Sequence, residues 1–276
     1  MLTAAELKVF LRAHDLRLTK RLGQHHLVDP GVIDRLMRRI TIISDQTVVE
    51  IGAGLGALTE PLAQKARRVL AVEIDRRICG LLRERVAALE HVSVICGDIL
   101  AFSWEEYRGV SVVGAIPYHI TSPLLVALSA ARRAIREAWL ILQQEVAQRL
   151  TAKPRTKPYG RLSVLGQYSW TITPVMTIPP RAFFPQPDVD SVCLYLLPHE
   201  RPPVSVTDEA TFFDVVKAAF GHRRKTLVNC LSAHGTPLVS RARAQTLVRQ
   251  LGLPASVRGE ALSLEQFAEL ANALSV

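Results

Sequence analysis

What this 276-residue chain lacks narrows its possible roles. It has no apolar run approaching the roughly 20 residues needed to span a bilayer. Its first segment, MLTAAELKVFLRAHDLRLTKRLG, has no continuous apolar stretch of the secretory kind and reads as a basic amphipathic helix followed by a polar loop. Basic residues are frequent enough there for a mitochondrial presequence, but Glu6 and Asp15 count against one. Cysteine is sparse: Cys79, Cys96, Cys193 and Cys230 are scattered, with no C-x-x-C pair and no ligand spacing, so reduced thiols in a cytoplasm are expected. His25 and His26 are adjacent, yet no further His or Cys stands at ligand spacing, and no metal site is expected. Internal repeats and low-complexity segments are absent. Acidic residues are in deficit, 25 against 34 Lys and Arg, and the net charge of +9 favours a polyanionic partner.

What is present is enough apolar matter for a real core: 49% hydrophobic and 21% charged residues. A helix is expected from Asp29 to Ile43, with Asp29 as N-cap, Pro30 at the first helical position, and Val32, Ile33, Leu36, Met37 and Ile40 as one stripe. TVVEIGAGLGALTEPLAQKA reads as strand, glycine turn, helix. RVLAVEID, HVSVICGD and VSVVGAIPY read as three further strands, with helices between them and after the last. AWLILQQEVAQRL is a strand running into a helix. Continuous Val/Ile/Leu strands alternating with helices predict an α/β doubly wound domain with a parallel sheet covered on both faces. TAKPRTKPYG is a basic loop, and LSVLGQYSWTITPVMTI and SVCLYLL are expected to add late strands as an edge hairpin. The proline pair in HERPPVSVTDEA marks a linker. Three or more short amphipathic helices follow, so residues 1–200 are expected to form the α/β domain with its basic leader, and residues 205–276 a small helical domain.

Glu50-Ile51-Gly52-Ala53-Gly54-Leu55-Gly56 follows a strand and opens a helix. Glycines there let the backbone approach a ligand, and a helix N-terminus favours polar or anionic groups. Glu73 ends the next strand, where a carboxylate can accept hydrogen bonds from both ribose hydroxyls, and Asp98 ends the third, placed for an adenine amine. On this turn and Glu73 alone, a dinucleotide-dependent dehydrogenase stands level with a methyl-donor site. The fourth strand separates them, because it ends in Ala115-Ile116-Pro117-Tyr118, for which hydride transfer has no use.

An adenine amine is a poor nucleophile because its lone pair is delocalised into the ring. A hydrogen-bond acceptor on the amine hydrogens pushes the nitrogen toward a tetrahedral, lone-pair-bearing geometry. Pro117 would rigidify the strand end so that the Ile116 carbonyl projects toward the ligand. Tyr118 offers a flat face for a base taken out of its stack, with the methyl donor held beside it at the glycine turn for in-line attack. A sulfonium is already a good leaving group, so the chemistry calls for no metal.

These segments, taken together, resemble the KsgA-type small-subunit ribosomal RNA adenine dimethyltransferases, relatives of the Erm resistance methyltransferases and the mitochondrial transcription factor B proteins. The resemblance runs through LGQHHLVD (Leu22 to Asp29), VEIGAGLGALT, AVEID, GDIL, QQEVAQRL, YGRLSV, FFPQPDVDS and FGHRRKTLVNCL, nearly the whole chain in order. It implies a Rossmann-like class I S-adenosylmethionine-dependent methyltransferase fold with a small C-terminal helical domain. It further implies dimethylation at N6 of two adjacent adenines in a hairpin near the 3′ end of 16S rRNA, within the immature 30S subunit. The expected protein is a cytoplasmic monomer with no membrane partner. Donor contacts carried over by motif fall on His25, Leu27, Gly52, Gly54, Glu73, Asp98 and Ala115, and the catalytic set on Ala115, Ile116, Pro117 and Tyr118. YGRLSV and the RRKTL helix look more like the small-subunit enzymes than the Erm enzymes, which act on 23S rRNA.

Two departures stand out. The family usually has Phe at the place of His26, and its fourth motif normally begins with Asn where this chain has Ala115. Asn accepts a hydrogen bond from the target amine and alanine cannot. One lost preorganised hydrogen bond at a reacting centre costs about 3 kcal/mol, on the order of a hundredfold in rate. A ribosome-assembly factor that binds donor and RNA but transfers methyl poorly is therefore the competing expectation. For RNA, basic residues cluster at Arg17 to Arg21, at Lys153, Arg155 and Lys157, and at Arg223, Arg224 and Lys225, suited to phosphate contacts that position without reading sequence. Arg132, Arg133 and Arg136 have helical spacing and read as a solvated face.

Overall fold

The computed structural model describes residues 2–16, 25–42, 44–222, 224–233 and 238–275. Arg21, Arg223 and the start of the LGQHHL motif lie outside the described residues. The leader opens with α1 (Ala4–Ala13), whose start is fixed by a reciprocal cap. The Thr3 hydroxyl accepts from the Glu6 N–H, and the Glu6 carboxylate accepts from the Thr3 N–H at 2.8 Å. After β1 (His26–Leu27) comes α2 (Pro30–Arg39), which starts as expected: Asp29 accepts from the Val32 N–H at 3.0 Å, and Val32, Ile33, Leu36 and Met37 are buried. It stops short of Ile43 because Ile40 turns to extended backbone, where Lys65 Nζ donates to the carbonyl of Ile40 at 2.9 Å.

The α/β alternation then runs β2 (Thr47–Ile51), α3 (Thr59–Ala63), β3 (Arg68–Glu73), α4 (Arg76–Arg85), β4 (Val92–Cys96), β5 (Val110–Ala115), α5 (Thr121–Ala130), β6 (Ile135–Gln143), α6 (Gln144–Leu150), α7 (Arg161–Ser169), β7 (Trp170–Ile178), β8 (Phe183–Phe184) and β9 (Ser191–Pro198). The helices α8 (Glu209–Ala219), α9 (Leu227–Leu231), α10 (Arg241–Gln250) and α11 (Leu264–Asn272) follow. Among the described residues one sheet has the strand order β4-β3-β2-β5-β6-β9-β7, and β1 pairs separately with β8. From β4 to β6 every neighbouring pair is parallel, and β9 lies antiparallel to β6. Val48, Val49, Val69, Ala71 and Val112 are wholly buried, the pattern of a sheet covered on both faces. β2 lies between β3 and β5, so the chain leaves this strand in one direction and later returns on its other side. A ligand crevice opens at the carboxyl ends of the strands at such a switch point. Gly114 lies in register with Ile51 across this seam, and a Cβ there would stand 2.7 Å from the Ile51 carbonyl oxygen.

Two compact units emerge: residues 1–147 with 171–198, and residues 148–170 with 199–276. The linker position predicts a first domain over the whole of 1–200, whereas the second unit takes up 148–170 as well as the C-terminal tail. The basic loop explains the difference. The Tyr159 hydroxyl donates to the Leu262 carbonyl at 2.9 Å, and the Arg155 N–H donates to the Glu260 carbonyl at 2.8 Å. Tyr168 is fully buried against Phe212, ring centroids 4.7 Å apart, in a core completed by Phe267 and Leu247. LSVLGQYS is therefore helix, not strand. Its Val, Leu and Tyr content resembles a strand, but Val164, Leu165 and Tyr168 recur at helical spacing, and Ser163 Oγ accepts from the Gly160 N–H at 3.0 Å.

The cysteine expectation is also corrected. Cys79 and Cys96 form a disulfide, Cα atoms 5.9 Å apart, while Cys193 and Cys230 are free and buried. Their distance in sequence hid this pairing. Cys96 ends β4 in register with Glu73 of β3, and Cys79 lies only one turn into the helix that follows that same Glu73. Among the described residues no helix is long and apolar enough to cross a membrane, and no cluster of three metal-ligating side chains occurs.

Candidate active site

The carboxyl ends of β2, β3, β4 and β5 border a cavity of about 240 Å³. Gly52, Gly54, Glu73, Asp98 and Ala115, named from the sequence, all line it, as do His25, Leu27 and Pro117. The glycine turn is built for close approach. Gly54 has φ +55, and a Cβ on it would stand 2.7 Å from His26 Nδ1. Its N–H donates to Glu73 Oε2 at 2.9 Å, and the Asp75 N–H donates to Glu73 Oε1 at 3.0 Å. Each carboxylate oxygen is thus oriented by at least one backbone donor. Each oxygen keeps further acceptor capacity for a pair of vicinal hydroxyls. Burial raises the Glu73 pKa, and the backbone donors from Asp75 and Gly54 oppose that rise. Asp75 also caps α4, accepting from the N–H groups of Arg77 and Ile78. Asp98 is exposed at the cavity mouth and accepts from the Leu100 N–H at 2.9 Å, which leaves its second oxygen for an amine.

The strand-end tetrapeptide divides in two. Ala115 and Pro117 face the cavity, whereas Ile116 is buried, with its N–H donating to the Ile141 carbonyl at 3.0 Å. Tyr118 stands beside the cavity, half-buried and stacked on His25 with ring centroids 5.1 Å apart and planes 28° from parallel. Tyr118 is hydrogen-bonded to Ser191, and burial holds its phenol above the ordinary range. His25 is fixed in turn by a 2.7 Å hydrogen bond between Nδ1 and the Pro185 carbonyl. Tyr118 is therefore a braced aromatic face, and its braces come from the FFPQPDVDS segment.

Sequence reasoning missed several residues, Glu50, His119 and Ile120 among them. Glu50 is wholly buried at the end of β2, accepts from the Thr59 hydroxyl at 2.6 Å, and is pushed up to about 8 by burial, with the neighbouring Glu73 charge adding to the shift. The signal was a lone charged residue ending an apolar strand. His119 and Ile120 also line the cavity, and only their place after the tetrapeptide hinted at it. His26, where the family usually has Phe, is held neutral, its pKa lowered to about 4 chiefly by burial, so it packs beside Gly54 much as an uncharged ring would. Of the residues expected to meet RNA, Lys153, Arg155, Lys157, Arg224 and Lys225 are exposed on the helical unit.

The family profile described as "Ribosomal RNA adenine dimethylase" matches residues 16–275. The chain belongs to that family. It is 42% identical to ribosomal RNA small subunit methyltransferase A of Bacillus mycoides, over 97% of this chain and 94% of that protein. Among solved structures it resembles a dimethyladenosine transferase from Plasmodium falciparum, at 25% identity and a TM-score of 0.74 over 89% of this chain and 96% of that one. It also resembles the 23S rRNA methyltransferase ErmE, at 27% identity and a TM-score of 0.63 over 91% and 99% of the two chains. The dimethylase family accounts for the class I methyltransferase fold and makes the chain an rRNA methyltransferase. The dehydrogenase reading of the glycine turn falls with it.

Proposed function

We propose that this rRNA adenine dimethylase transfers methyl groups from S-adenosylmethionine to the N6 amines of two adjacent adenines in a 3′-terminal hairpin of 16S rRNA, acting on the immature 30S subunit as a cytoplasmic monomer. The observation that carries the reading is the placement of Ala115-Ile116-Pro117-Tyr118 at the end of β5, directly across the β2–β5 seam from the glycine turn.

The residues present suit the donor. Glu73, held by backbone N–H groups, would take the ribose hydroxyls, and Asp98 the adenine amine. The side-chain-free edge at Gly54 leaves room for the donor where a Cβ would collide with His26. S-adenosylmethionine supplies an electrophilic methyl group on sulfur. His25, Leu27 and Ala115 would border the reacting end, and the mainly apolar wall of Leu58, Ile78 and Ile120 would exclude water from it. Tyr118, braced by His25 and Ser191, would support the extruded adenine, while the Ile116 carbonyl would accept one amine hydrogen. The exposed Lys153, Arg155, Lys157, Arg224 and Lys225 would contact phosphates, as would Arg21 and Arg223.

A second reading has its own observation: the Ala115 methyl lines the cavity where the family's Asn would supply an acceptor. On that reading the chain binds donor and immature subunit as an assembly factor and transfers methyl slowly. Transfer of labelled methyl to unmethylated small subunits, compared with Ala115→Asn, tests both. Comparable labelling supports the dimethylase with the Ile116 carbonyl sufficing. Gain of about a hundredfold on restoring Asn supports the assembly factor. No labelling by either protein refutes the proposed reaction.

A further inference from the structure

A second cleft, of about 350 Å³, lies between α1 and the FFPQP turn and is lined by Lys8, Leu11, Arg12, Phe184 and Pro185. Lys8 and Arg12 are one helical turn apart, so both cations stand on one face of α1. Both side chains are exposed, and among the described residues neither pairs with a carboxylate. The neighbouring Glu6 carboxylate is occupied by the Thr3 N–H and hydroxyl, each at 2.8 Å. Lys8 Nζ rests 5.2 Å from the centroid of the Phe184 ring, which holds the ammonium at the cleft without neutralising it. The helix is anchored: Leu7 and Leu11 are buried in a cluster with Val28, Leu55, Ile78 and Leu81, and Arg77 Nη2 donates to the Asp15 carbonyl just beyond its end at 2.8 Å.

The position of this cleft matters as much as its charge. Pro185 forms one wall, and its carbonyl is the group that fixes His25, the ring stacked under Tyr118. Phe184 pairs with His26 across β1 and β8. The cleft therefore shares Pro185 with the brace of Tyr118, and the two are joined through His25.

We propose that this cleft is a subsite for the nucleotide flanking the target adenine, with Lys8 and Arg12 on its phosphate and Leu11, Phe184 and Pro185 against its sugar or base. The assignment rests on the RNA-methylating reading above. The ligand class is single-stranded RNA, because two cations beside an apolar wall match a phosphate joined to an unstacked nucleoside. Bound this way, the flanking phosphate fixes the register that brings an adenine onto Tyr118.

The test is a salt titration of binding to a synthetic RNA hairpin with two adjacent loop adenines, read by fluorescence anisotropy between about 50 and 200 mM salt. The full chain is compared with Lys8→Gln/Arg12→Gln and with Arg67→Gln/Arg68→Gln, an equal charge change at the opposite end of β3. The cleft variant should bind roughly tenfold more weakly. Its log–log salt slope should be shallower by about 0.7 for each phosphate that is no longer neutralised. The control pair should change neither value by as much. A hairpin with one uncharged methylphosphonate beside the target adenine should show part of the same reduction in slope with wild type and no further reduction with the cleft variant. Equal effects from the two variant pairs would show that only net charge matters, and would overturn the subsite. An additive effect of the neutral linkage would overturn it as well. If wild type itself does not favour the hairpin over a blunt duplex, the RNA-loop reading falls and takes the subsite with it. Unchanged donor affinity and thermal midpoint in the cleft variant establish that the fold and donor site are intact.

Discussion

Replacing Glu50 by Gln should reverse sign in its effect on stability as pH rises. Glu50 is wholly buried, and its pKa is pushed from the ordinary carboxylate range near 4.5 to about 8. The folded protein therefore keeps a proton at this site that the unfolded chain has already released. Between pH 4.5 and 8 the native state binds more protons than the unfolded state, so stability falls as pH rises through that window and levels off above it. At about 1.4 kcal/mol for each pH unit, the site accounts for about 5 kcal/mol of lost stability across the window. The substituted amide would mimic the protonated acid, accept the Thr59 hydroxyl in the same way and bring one additional N–H, at a cost of about 1 kcal/mol. Urea unfolding at about pH 5 should thus find Glu50→Gln slightly less stable than wild type, and at about pH 8.5 more stable by several kcal/mol. Glu73 is raised in the same direction and is common to both proteins, so its own titration largely cancels in the difference. Parallel stability curves for the two proteins across pH would refute the assignment of a protonated Glu50.

Gly54→Ala combines a left-handed backbone, costing about 1–2 kcal/mol for a residue with a Cβ, with a 2.7 Å approach to His26. It should weaken donor binding at least tenfold by calorimetry, and adding His26→Ala should recover the steric part but not the backbone part. Tyr118→Phe keeps the flat face and loses only the bond to Ser191, so methyl transfer should fall a few-fold; Tyr118→Ala should lose about 1–3 kcal/mol of base stacking, seen as a ten- to hundredfold fall in transfer rate with donor affinity unchanged.

The strands that carry the cavity were legible because each is a short, continuous Val/Ile/Leu run closed by Gly, Asp or Pro. These four, with β6 beside them, lie parallel around the glycine turn as expected. Gly52, Gly54, Glu73 and Asp98 were legible because a motif at a strand end dictates its own geometry. What sequence concealed depends on contacts distant along the chain. Arg161–Ser169 reads as strand by composition, yet the Ser163 cap and the burial of Tyr168 against Phe212 make it helix. The bracing of Tyr118 spans 160 residues, from His25 to Pro185, and neither residue announces it locally. The Cys79–Cys96 pair likewise exists only because parallel register sets Cys96 beside Glu73.

Gly114 has a consequence that reaches past its own strand. The elements proposed to grip the methyl donor lie on β2, β3 and β4, and the tetrapeptide proposed to present the amine ends β5, so the two halves of the reaction meet along one seam. At that seam the Ile51 carbonyl comes within 2.7 Å of where any side chain on residue 114 would begin. A missing methyl group thus acts as a ruler, holding the electrophile's cradle and the nucleophile's platform closer by roughly 1 Å than the ordinary separation of non-bonded atoms would allow any other residue. An ångström of misplacement between reacting partners is worth on the order of a hundredfold in rate.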